Sequence, residues 1–347
     1  MSEPPASRPS GAAGRSLSWL GRQWKWFKWP VALAVLSVLY WANRESFGNL
    51  RDRRIEWHHL LIGLVLCAAS IVLTFIRWYL LVWALEFPFK LRDALRLGFI
   101  GFLFNYVGPG GAGGDVVKAV MIAREQKSRR FVAAATVVID RVLGLFSLFV
   151  VGAMATFVPT DYVRLNAFRW YIVGIWTGAV VGLLGLAIVL HPAVPRSRPL
   201  NLLIHLPWVG KPIGDLIAAL LLYQAKRRVL VLGVLIGIVG HFGTLSAFYF
   251  AGRAVSPAGA IPDYASHLQF IPMAELFGVV IPLPGGLGAL EGAIGHFYAM
   301  GMGKDAAANG ILTGVAYRVL TIVIASVGAV YYLTARREID AALVEST

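Results

Sequence analysis

Long apolar stretches recur along the whole chain and are separated by short polar segments. Six of these stretches are long and continuous enough to cross a bilayer as helices, because about 20 apolar residues span the roughly 30 Å hydrocarbon core. We predict the spans at about 26–42, 58–85, 131–157, 168–190, 228–252 and 311–334. The pattern therefore predicts an all-α polytopic membrane protein.

Two further apolar segments, 94–123 and 264–301, are interrupted by proline and glycine. Such interruptions break the helical hydrogen-bond ladder, and inside a membrane the freed backbone groups must be covered by protein or by a water-filled cavity. We therefore predict that each segment is a re-entrant helical hairpin, which enters and leaves on the same side. The hinge positions of the two bends are Pro109, Gly110, Gly111, Gly113, Gly114, Pro284, Gly285, Gly286 and Gly288.

The distribution of basic residues predicts the topology. With both hairpins re-entrant and a cytoplasmic N-terminus, 20 of the 32 Lys and Arg residues fall in inside loops and 8 in outside loops. This asymmetry follows the positive-inside rule and places both termini in the cytoplasm. It also accounts for the net charge of +14 without a nucleic-acid partner. We assign 1–29 to a disordered, basic interfacial N-terminus, 30–335 to a single transmembrane domain and 336–347 to a cytoplasmic tail.

The two broken segments resemble each other. Each Pro-Gly-Gly bend is followed by an acid and then by an arginine, which are Asp115 and Arg141 in the first copy and Glu291 and Arg318 in the second. Three predicted spans separate the copies, so the copies face opposite ways. We predict an inverted repeat with units of about 94–157 and 264–334. Paired broken helices in inverted repeats are typical of transporters with a substrate site near the membrane midplane.

Eight ionisable residues fall within apolar segments, and their formal charges sum to zero. They are Arg77, Asp115, Lys118, Asp140, Arg141, Glu275, Glu291 and Arg318. A lone charge at mid-bilayer costs about 2.5–3.5 kcal/mol on insertion scales, so these residues must pair, face water or snorkel to the interface.

Several pairings stay open at this point. Arg77 either snorkels or pairs, whereas Asp115 and Lys118 share a helix face at a spacing of three residues and can satisfy each other. Asp140 and Arg141 are adjacent in the chain, point in different directions on a helix, and each need a partner from another element.

An anion is the ligand that this set favours. Arg141 and Arg318 are the best candidates to bind it, because guanidinium is planar and permanently charged. Helix N-termini after the glycine clusters would add backbone N–H donors. Glu275 and Glu291 either hold the arginines or take up protons. The candidate translocation residues are Asn105, Arg77, Asp115, Lys118, Asp140, Arg141, Glu275, Glu291 and Arg318.

We predict no cofactor and no metal site. The single Cys67 has no partner for a disulfide, and no His, Asp or Glu spacing is typical of a metal site. GGAGGD lacks the Lys-Ser/Thr of a phosphate-binding P-loop, and the sequence contains no ATP-binding motif. We therefore expect any transport to be downhill or coupled to an ion gradient. His241, His267 and His296 either relay protons or are hydrogen-bonded structural residues.

Four motifs in order resemble the flippase-like membrane family related to the transmembrane domain of bacterial lysylphosphatidylglycerol synthases. These motifs are FNYVGPGGAGGDVVKAVMIAR, VVIDRVLGL, PLPGGLGALEGAIGHF and AYRVLTIV. The resemblance implies a bacterial or archaeal inner-membrane protein that handles lipids with charged or glycosylated headgroups. It also implies a polar centre of Asp115, Asp140, Arg141, Glu291 and Arg318. The soluble synthase domain of that family has no counterpart in the printed residues, so we do not carry the synthase activity over.

Three functions are consistent with the sequence. The first is a lipid translocase, in which the two hairpins meet at a cavity that passes the headgroup while the tails stay in lipid. The second is a membrane-embedded transferase on a lipid-linked substrate, with an acid such as Asp115 or Glu291 as general base. The third is a non-catalytic subunit of envelope assembly, in which the charges only hold helices together. The translocase is our leading hypothesis, with membrane lipids, anionic or headgroup-modified, as partners.

Overall fold

The computed structural model describes residues 54–106, 112–126, 129–191, 221–257, 259–281, 283 and 285–344, together with the single positions 37, 41 and 214. Side chains are described as far as residue 334. Several predictions fall outside these residues. They concern the span 26–42 apart from two of its positions, the N-terminus 1–29, the bend positions Pro109, Gly110, Gly111 and Pro284, and most of the loop after residue 191.

The described chain consists of helices and turns, and no strand occurs among the residues above. The helices are α1 Trp57–Ala84, α2 Leu91–Phe104, α3 Gly113–Glu125, α4 Arg130–Ala155, α5 Arg169–Leu190, α6 Arg227–Val255, α7 Tyr264–Val280, α8 Ala289–Met302 and α9 Ala307–Val344. The short turn Asp161–Arg164 lies between α4 and α5. The all-α class predicted from the sequence is confirmed for this part of the chain.

Five of the described helices are long and apolar enough to cross a membrane: α1, α4, α5, α6 and α9. They coincide with the last five predicted spans. Their outer faces carry large apolar side chains, such as Trp170 and Leu183 on α5, which are 80% and 58% exposed. Contiguous apolar surface of this kind marks a face that is covered by another apolar phase, here lipid.

Helix α9 is longer than predicted at both ends. The span was placed at 311–334 and the tail at 336–347, whereas the helix runs from Ala307 to Val344. The sequence REIDAALV continues it, because its Ala, Leu, Glu and Arg residues all favour helix and no proline or glycine interrupts them.

The two broken segments form two pairs of short helices, α2 with α3 and α7 with α8, which we call the first and second helix pairs. The partners within each pair pack against each other. At 1.5 Å per residue these helices of 13 to 17 residues are about 20–26 Å long, which is shorter than the roughly 30 Å hydrocarbon core. Neither pair therefore contains a helix of span length.

Glycine allows the helices of each pair to approach closely. A Cβ on Gly101 would lie 3.0 Å from the backbone oxygen of Gly114, so α2 and α3 touch through their backbones. In the second pair, a Cβ on Gly278 would lie 3.3 Å from the Leu290 side chain. The bend between α7 and α8 needs glycine for another reason, because Gly285, Gly286 and Gly288 have φ of 58°, 65° and 83°. Residues with a Cβ are strained in this region.

Loop contacts join the ends of α1, α4 and α6 on one side of the molecule. Arg129, at the start of α4, donates from Nη2 to the Leu85 carbonyl at 2.5 Å. Tyr223 donates its hydroxyl to the Leu81 carbonyl at 2.7 Å. The Lys226 ammonium lies 2.6 Å from a Glu86 carboxylate oxygen, and this hydrogen bond lowers the pKa of the exposed Glu86 carboxyl.

Candidate functional site

A cavity of about 340 Å³ lies between the two helix pairs and is also bounded by α1, α4, α6 and α9. Most of the charged residues that the sequence places within the membrane line this cavity. The charged and strongly polar lining residues are Arg77, Asn105, Asp115, Lys118, Asp140, Arg141, His241, Glu275 and Arg318. Eight of the nine predicted translocation residues therefore share one space, and the ninth, Glu291, pairs with Arg318.

Arg77 and Asp140 form a buried ion pair between α1 and α4. Arg77 Nε donates to Asp140 Oδ1 at 2.7 Å, and both side chains are about 5% exposed or less. Glycines on two helices make room for the guanidinium, because a Cβ at Gly144 or Gly237 would lie 2.9 or 3.0 Å from its nitrogens. The alternative that Arg77 snorkels is therefore wrong, since its charge is satisfied inside the helix bundle.

Asp115 is shared by two cations. Its Oδ1 lies 2.8 Å from Lys118 Nζ, as the spacing of three residues predicts, and its Oδ2 lies 3.4 Å from Arg141 Nη1. Lys118 also lies 5.4 Å from the ring centre of Trp78. The Arg141 side chain is 37% exposed, which makes it the most accessible arginine among the lining residues given above. Asp115, Lys118 and Arg141 together carry a formal charge of +1, which can attract an anionic ligand.

Glu291 holds Arg318 in the second half of the chain. Glu291 Oε1 accepts from Arg318 Nε at 2.5 Å, while the Glu291 side chain is only 1% exposed. Arg318 Nη1 also donates to the Gly285 carbonyl at 2.9 Å, in the bend of the second helix pair. The remaining nitrogen, Nη2, is buried and has no hydrogen-bond partner among the described residues.

The two halves thus repeat one contact. In each, the acid at the third position of the second short helix faces the arginine of the next long helix, Asp115 with Arg141 and Glu291 with Arg318. The shared order of bend, acid and arginine in the sequence corresponds to an acid–arginine ion pair in each half. The first pair is looser than the second, with a 3.4 Å contact against a 2.5 Å contact.

Side chains already occupy two backbone donors at the starts of the short helices. Asn105 Oδ1 accepts from Gly114 N at 2.9 Å, and Glu291 Oε2 accepts from Gly288 N at 2.7 Å. The sequence predicts that N–H groups at these helix starts bind the anion. For these two N–H groups the structure shows a cap within the protein instead.

Glu275 differs from the other acids of the cavity. Its nearest basic group is His241 Nδ1, at 3.9 Å, and no hydrogen bond to its carboxylate is present in the part of the chain that the structure describes. His241 Nδ1 is itself buried and without a hydrogen-bond partner there. Glu275 therefore does not hold an arginine in place, which was one of its two predicted roles.

The other two histidines have structural positions. His267 is fully buried, with Nε2 2.7 Å from the Tyr298 hydroxyl and Nδ1 2.9 Å from the Asp263 carbonyl. His296 lies 3.3 Å from the Tyr171 hydroxyl and does not line the cavity.

Tyr106, after the first short helix, and Gly285, in the bend of the second pair, meet at the cavity. A Cβ on Gly285 would lie 3.3 Å from the Tyr106 ring and 3.5 Å from Arg318 Nη1. Tyr106 is the second residue after the end of α2, and its hydroxyl donates to Thr321 Oγ1 on α9 at 2.5 Å. Tyr106, Thr321 and Tyr317 also line the cavity and were not predicted from the sequence. The one signal for Tyr106 is its place between Asn105 and the first bend.

Comparison with known proteins agrees with the motifs. The family model described as "Lysylphosphatidylglycerol synthase TM region" matches residues 29–329. The chain is also 22% identical over 288 residues to a protein named "UPF0104 membrane protein" from Methanothermobacter thermautotrophicus, a match that covers 78% of this chain and 82% of that protein. The resemblance predicted from four motifs is confirmed. Because the match includes both helix pairs and every charged residue of the cavity, this chain belongs to the family of the lysylphosphatidylglycerol synthase TM region.

Proposed function

We propose that this protein is a lipid translocase, which moves a lipid with a charged or glycosylated headgroup across the inner membrane. The observation that carries the proposal is the convergence of seven intramembrane charges on one cavity between the two helix pairs. A protein that used these charges only to join helices would not need them around a shared space of about 340 Å³. The acyl tails would stay in lipid while the headgroup passes along this space.

The topology that we propose treats each helix pair as a re-entrant hairpin. The short lengths of α2, α3, α7 and α8, their packing in pairs and the glycine-dependent bend support this arrangement. The repeated acid–arginine contacts support an inverted repeat. In such an arrangement the two bends approach the midplane from opposite sides, where transporters of this kind bind their substrates. Both termini would then be cytoplasmic.

Arg141 and Arg318 would bind the headgroup, and a phosphate is the group that suits them best. Guanidinium binds phosphate through parallel N–H donors. Arg141 offers a partly exposed fork and a long contact to Asp115 that a phosphate oxygen can replace. Arg318 offers Nη2, the buried donor without a partner in the described chain. Glu291 and the Gly285 carbonyl fix the orientation of that donor.

Glu275 would bind a proton or a cationic headgroup during transport, because it is the cavity acid without a hydrogen bond in the described chain. A carboxylate in this state is ready to receive a proton or a cationic group of the headgroup. The buried pairs Arg77–Asp140 and Arg318–Glu291 would meanwhile form the fixed frame around it.

The proposal predicts protein-dependent exchange of phosphate-bearing lipids between leaflets. Purified protein is reconstituted into vesicles with lipids that carry the same NBD fluorophore on their hydrophobic chain and differ in headgroup: phosphatidylglycerol, its aminoacylated form, phosphatidylethanolamine, a polyprenyl phosphate and a phosphate-free glycolipid. Dithionite destroys the fluorophores of the outer leaflet. We expect quenching beyond the outer-leaflet half for at least one phosphate-bearing lipid, and no such excess in protein-free vesicles.

Each alternative function has its own outcome in this experiment. Folded protein that exchanges no lipid of the panel would overturn the translocase. Mass spectrometry of the same vesicles with candidate donors would show a modified lipid if the protein is a transferase. Neither exchange nor modification would leave the non-catalytic subunit as the remaining hypothesis.

A further inference from the structure

A second cluster of ligand-type side chains lies outside the cavity, at the start of α1. Glu56, His58 and His59 each offer one ligand atom, and these three atoms all lie within 4.8 Å of one another. Glu56 Oε2 is 2.6 Å from His59 Nδ1 and 3.8 Å from His58 Nε2. The spacing of these residues is not typical of a metal site, because they are almost consecutive and helix α1 begins among them.

These distances lie on either side of those between neighbouring ligands of a small metal ion. With metal–ligand bonds of about 2.0–2.2 Å, neighbouring ligands of a tetrahedral ion are about 3.3–3.6 Å apart. The distances from Glu56 Oε2 to the two imidazole nitrogens, 2.6 and 3.8 Å, are one shorter and one longer than this ligand–ligand distance. The ligand atoms already lie within 4.8 Å of one another, and the exposed His58 and Glu56 side chains have room to turn toward one ion.

The contact between His59 and Glu56 is not a well-made hydrogen bond. His59 Nδ1 is buried, and despite its 2.6 Å approach to the carboxylate it has no hydrogen-bond partner of acceptable geometry in the described chain. Two polar atoms that lie close together without forming a hydrogen bond have the arrangement of two ligands of one metal ion. Such a buried, unsatisfied nitrogen needs an explanation, and a metal ion would provide one.

The rest of the fold holds the cluster in position. Glu56 donates its backbone N–H to the Ala254 carbonyl at the end of α6 at 2.9 Å, and its own carbonyl accepts from His59 N at 3.1 Å. The His59 ring stacks on Phe250 of α6, with centroids 5.9 Å apart. The His58 and Glu56 side chains are 68% and 48% exposed, so the remaining coordination positions are open to water.

We propose that Glu56, His58 and His59 bind a divalent transition-metal ion. Two imidazoles and one carboxylate suit Zn²⁺, Co²⁺, Ni²⁺ or Cu²⁺, whereas Mg²⁺ and Ca²⁺ prefer oxygen ligands alone. The ion would join the residue before α1 to the first turn of that helix, next to the end of α6. This site is separate from the cavity, so the proposal does not depend on the translocase.

The test is isothermal titration calorimetry with Zn²⁺ on the protein in detergent. Any affinity tag is removed first. We expect saturable binding of one ion, a rise in the unfolding temperature with Zn²⁺, and smaller effects with Mg²⁺. Loss of hydrogen bonds around a ligand already weakens metal binding by about 10–100-fold. We therefore expect His59→Ala to weaken binding at least tenfold, and Glu56→Gln to weaken it while keeping the shape of the side chain.

His296→Ala is the matched control, because it removes another exposed imidazole that lies far from the cluster in the chain. It should bind Zn²⁺ as the unmodified protein does. If His59→Ala is poorly folded, Glu56→Gln and His58→Ala decide the question. The proposal is overturned if the folded protein shows no saturable binding, or if these variants bind Zn²⁺ as tightly as the unmodified protein.

Discussion

Arg141→Ala is expected to slow lipid exchange at least tenfold while the protein stays folded. A hydrogen bond to a charged group contributes about 1.5–3 kcal/mol, and about 1.4 kcal/mol corresponds to a factor of ten. Arg141→Ala tests headgroup binding without a large loss of stability, because no carboxylate loses its last cationic partner. Asp115 keeps Lys118 at 2.8 Å, so the frame of the cavity should survive the change.

Arg318 requires a different substitution. Arg318→Ala would leave Glu291, which is 1% exposed, without its cation, so lost transport and lost stability could not be separated. The double variant Arg318→Gln with Glu291→Gln removes both charges together and keeps hydrogen-bonding groups at both positions. We expect it to fold and to lose exchange as Arg141→Ala does.

The measurement is the dithionite assay at equal amounts of reconstituted, monodisperse protein. Arg164→Ala is the matched control, since this arginine lies in the turn before α5 with a side chain 76% exposed. It should exchange lipid at the rate of the unmodified protein. Normal exchange by both Arg141→Ala and the double glutamine variant would show that these arginines do not bind the headgroup.

Asp140→Ala is expected to lower the free energy of unfolding by about 3–5 kcal/mol, because it leaves a buried cation without its partner. Arg77 is 4% exposed, and its Nε donates to Asp140. Replacing both residues by apolar ones of similar size, as in Arg77→Met with Asp140→Leu, should restore most of the stability. Replacement of a buried pair in this way is often neutral or stabilising.

Unfolding in detergent, followed by circular dichroism, measures both variants under the same conditions. Asp140→Ala measures the cost of leaving the Arg77 charge unpaired, and the apolar double variant measures the net contribution of the ion pair to stability. If Asp140→Ala unfolds like the unmodified protein, the buried pair does not form in the membrane protein. If the apolar double variant is stable and still exchanges lipid, Arg77 and Asp140 belong to the frame and not to the headgroup site.

Local patterns in the sequence predicted what local physics determines. The apolar runs gave the five described span-length helices to within a few residues, except for α9, which begins earlier and continues further. The Pro-Gly interruptions located both pairs of short helices. The spacing of Asp115 and Lys118 predicted their contact, because a helix places residues three apart on one face.

Contacts between helices could not be predicted in the same way. Arg77 and Asp140 are 63 residues apart, and the aromatic neighbours of Arg77 equally favour snorkelling, so only the packing of α1 against α4 decides between the two. His241 faces Glu275 for the same reason. The cap of Gly114 N by Asn105 also depends on how closely α2 packs against α3, which glycine content alone does not predict.

The central claim, that a lipid headgroup enters the cavity between the two helix pairs, has a direct test. Two phospholipids are reconstituted with the protein, one with a photoreactive diazirine in the headgroup and one with it in the acyl chain, and the labelled residues are mapped by mass spectrometry. Tyr106, Tyr317 and Thr321 line the cavity, whereas Val180 and Leu183 lie on the exposed apolar face near the middle of α5. We predict that the headgroup probe labels the first set and the acyl-chain probe the second. Labelling of the exposed face by both probes, with none in the cavity, would contradict the account.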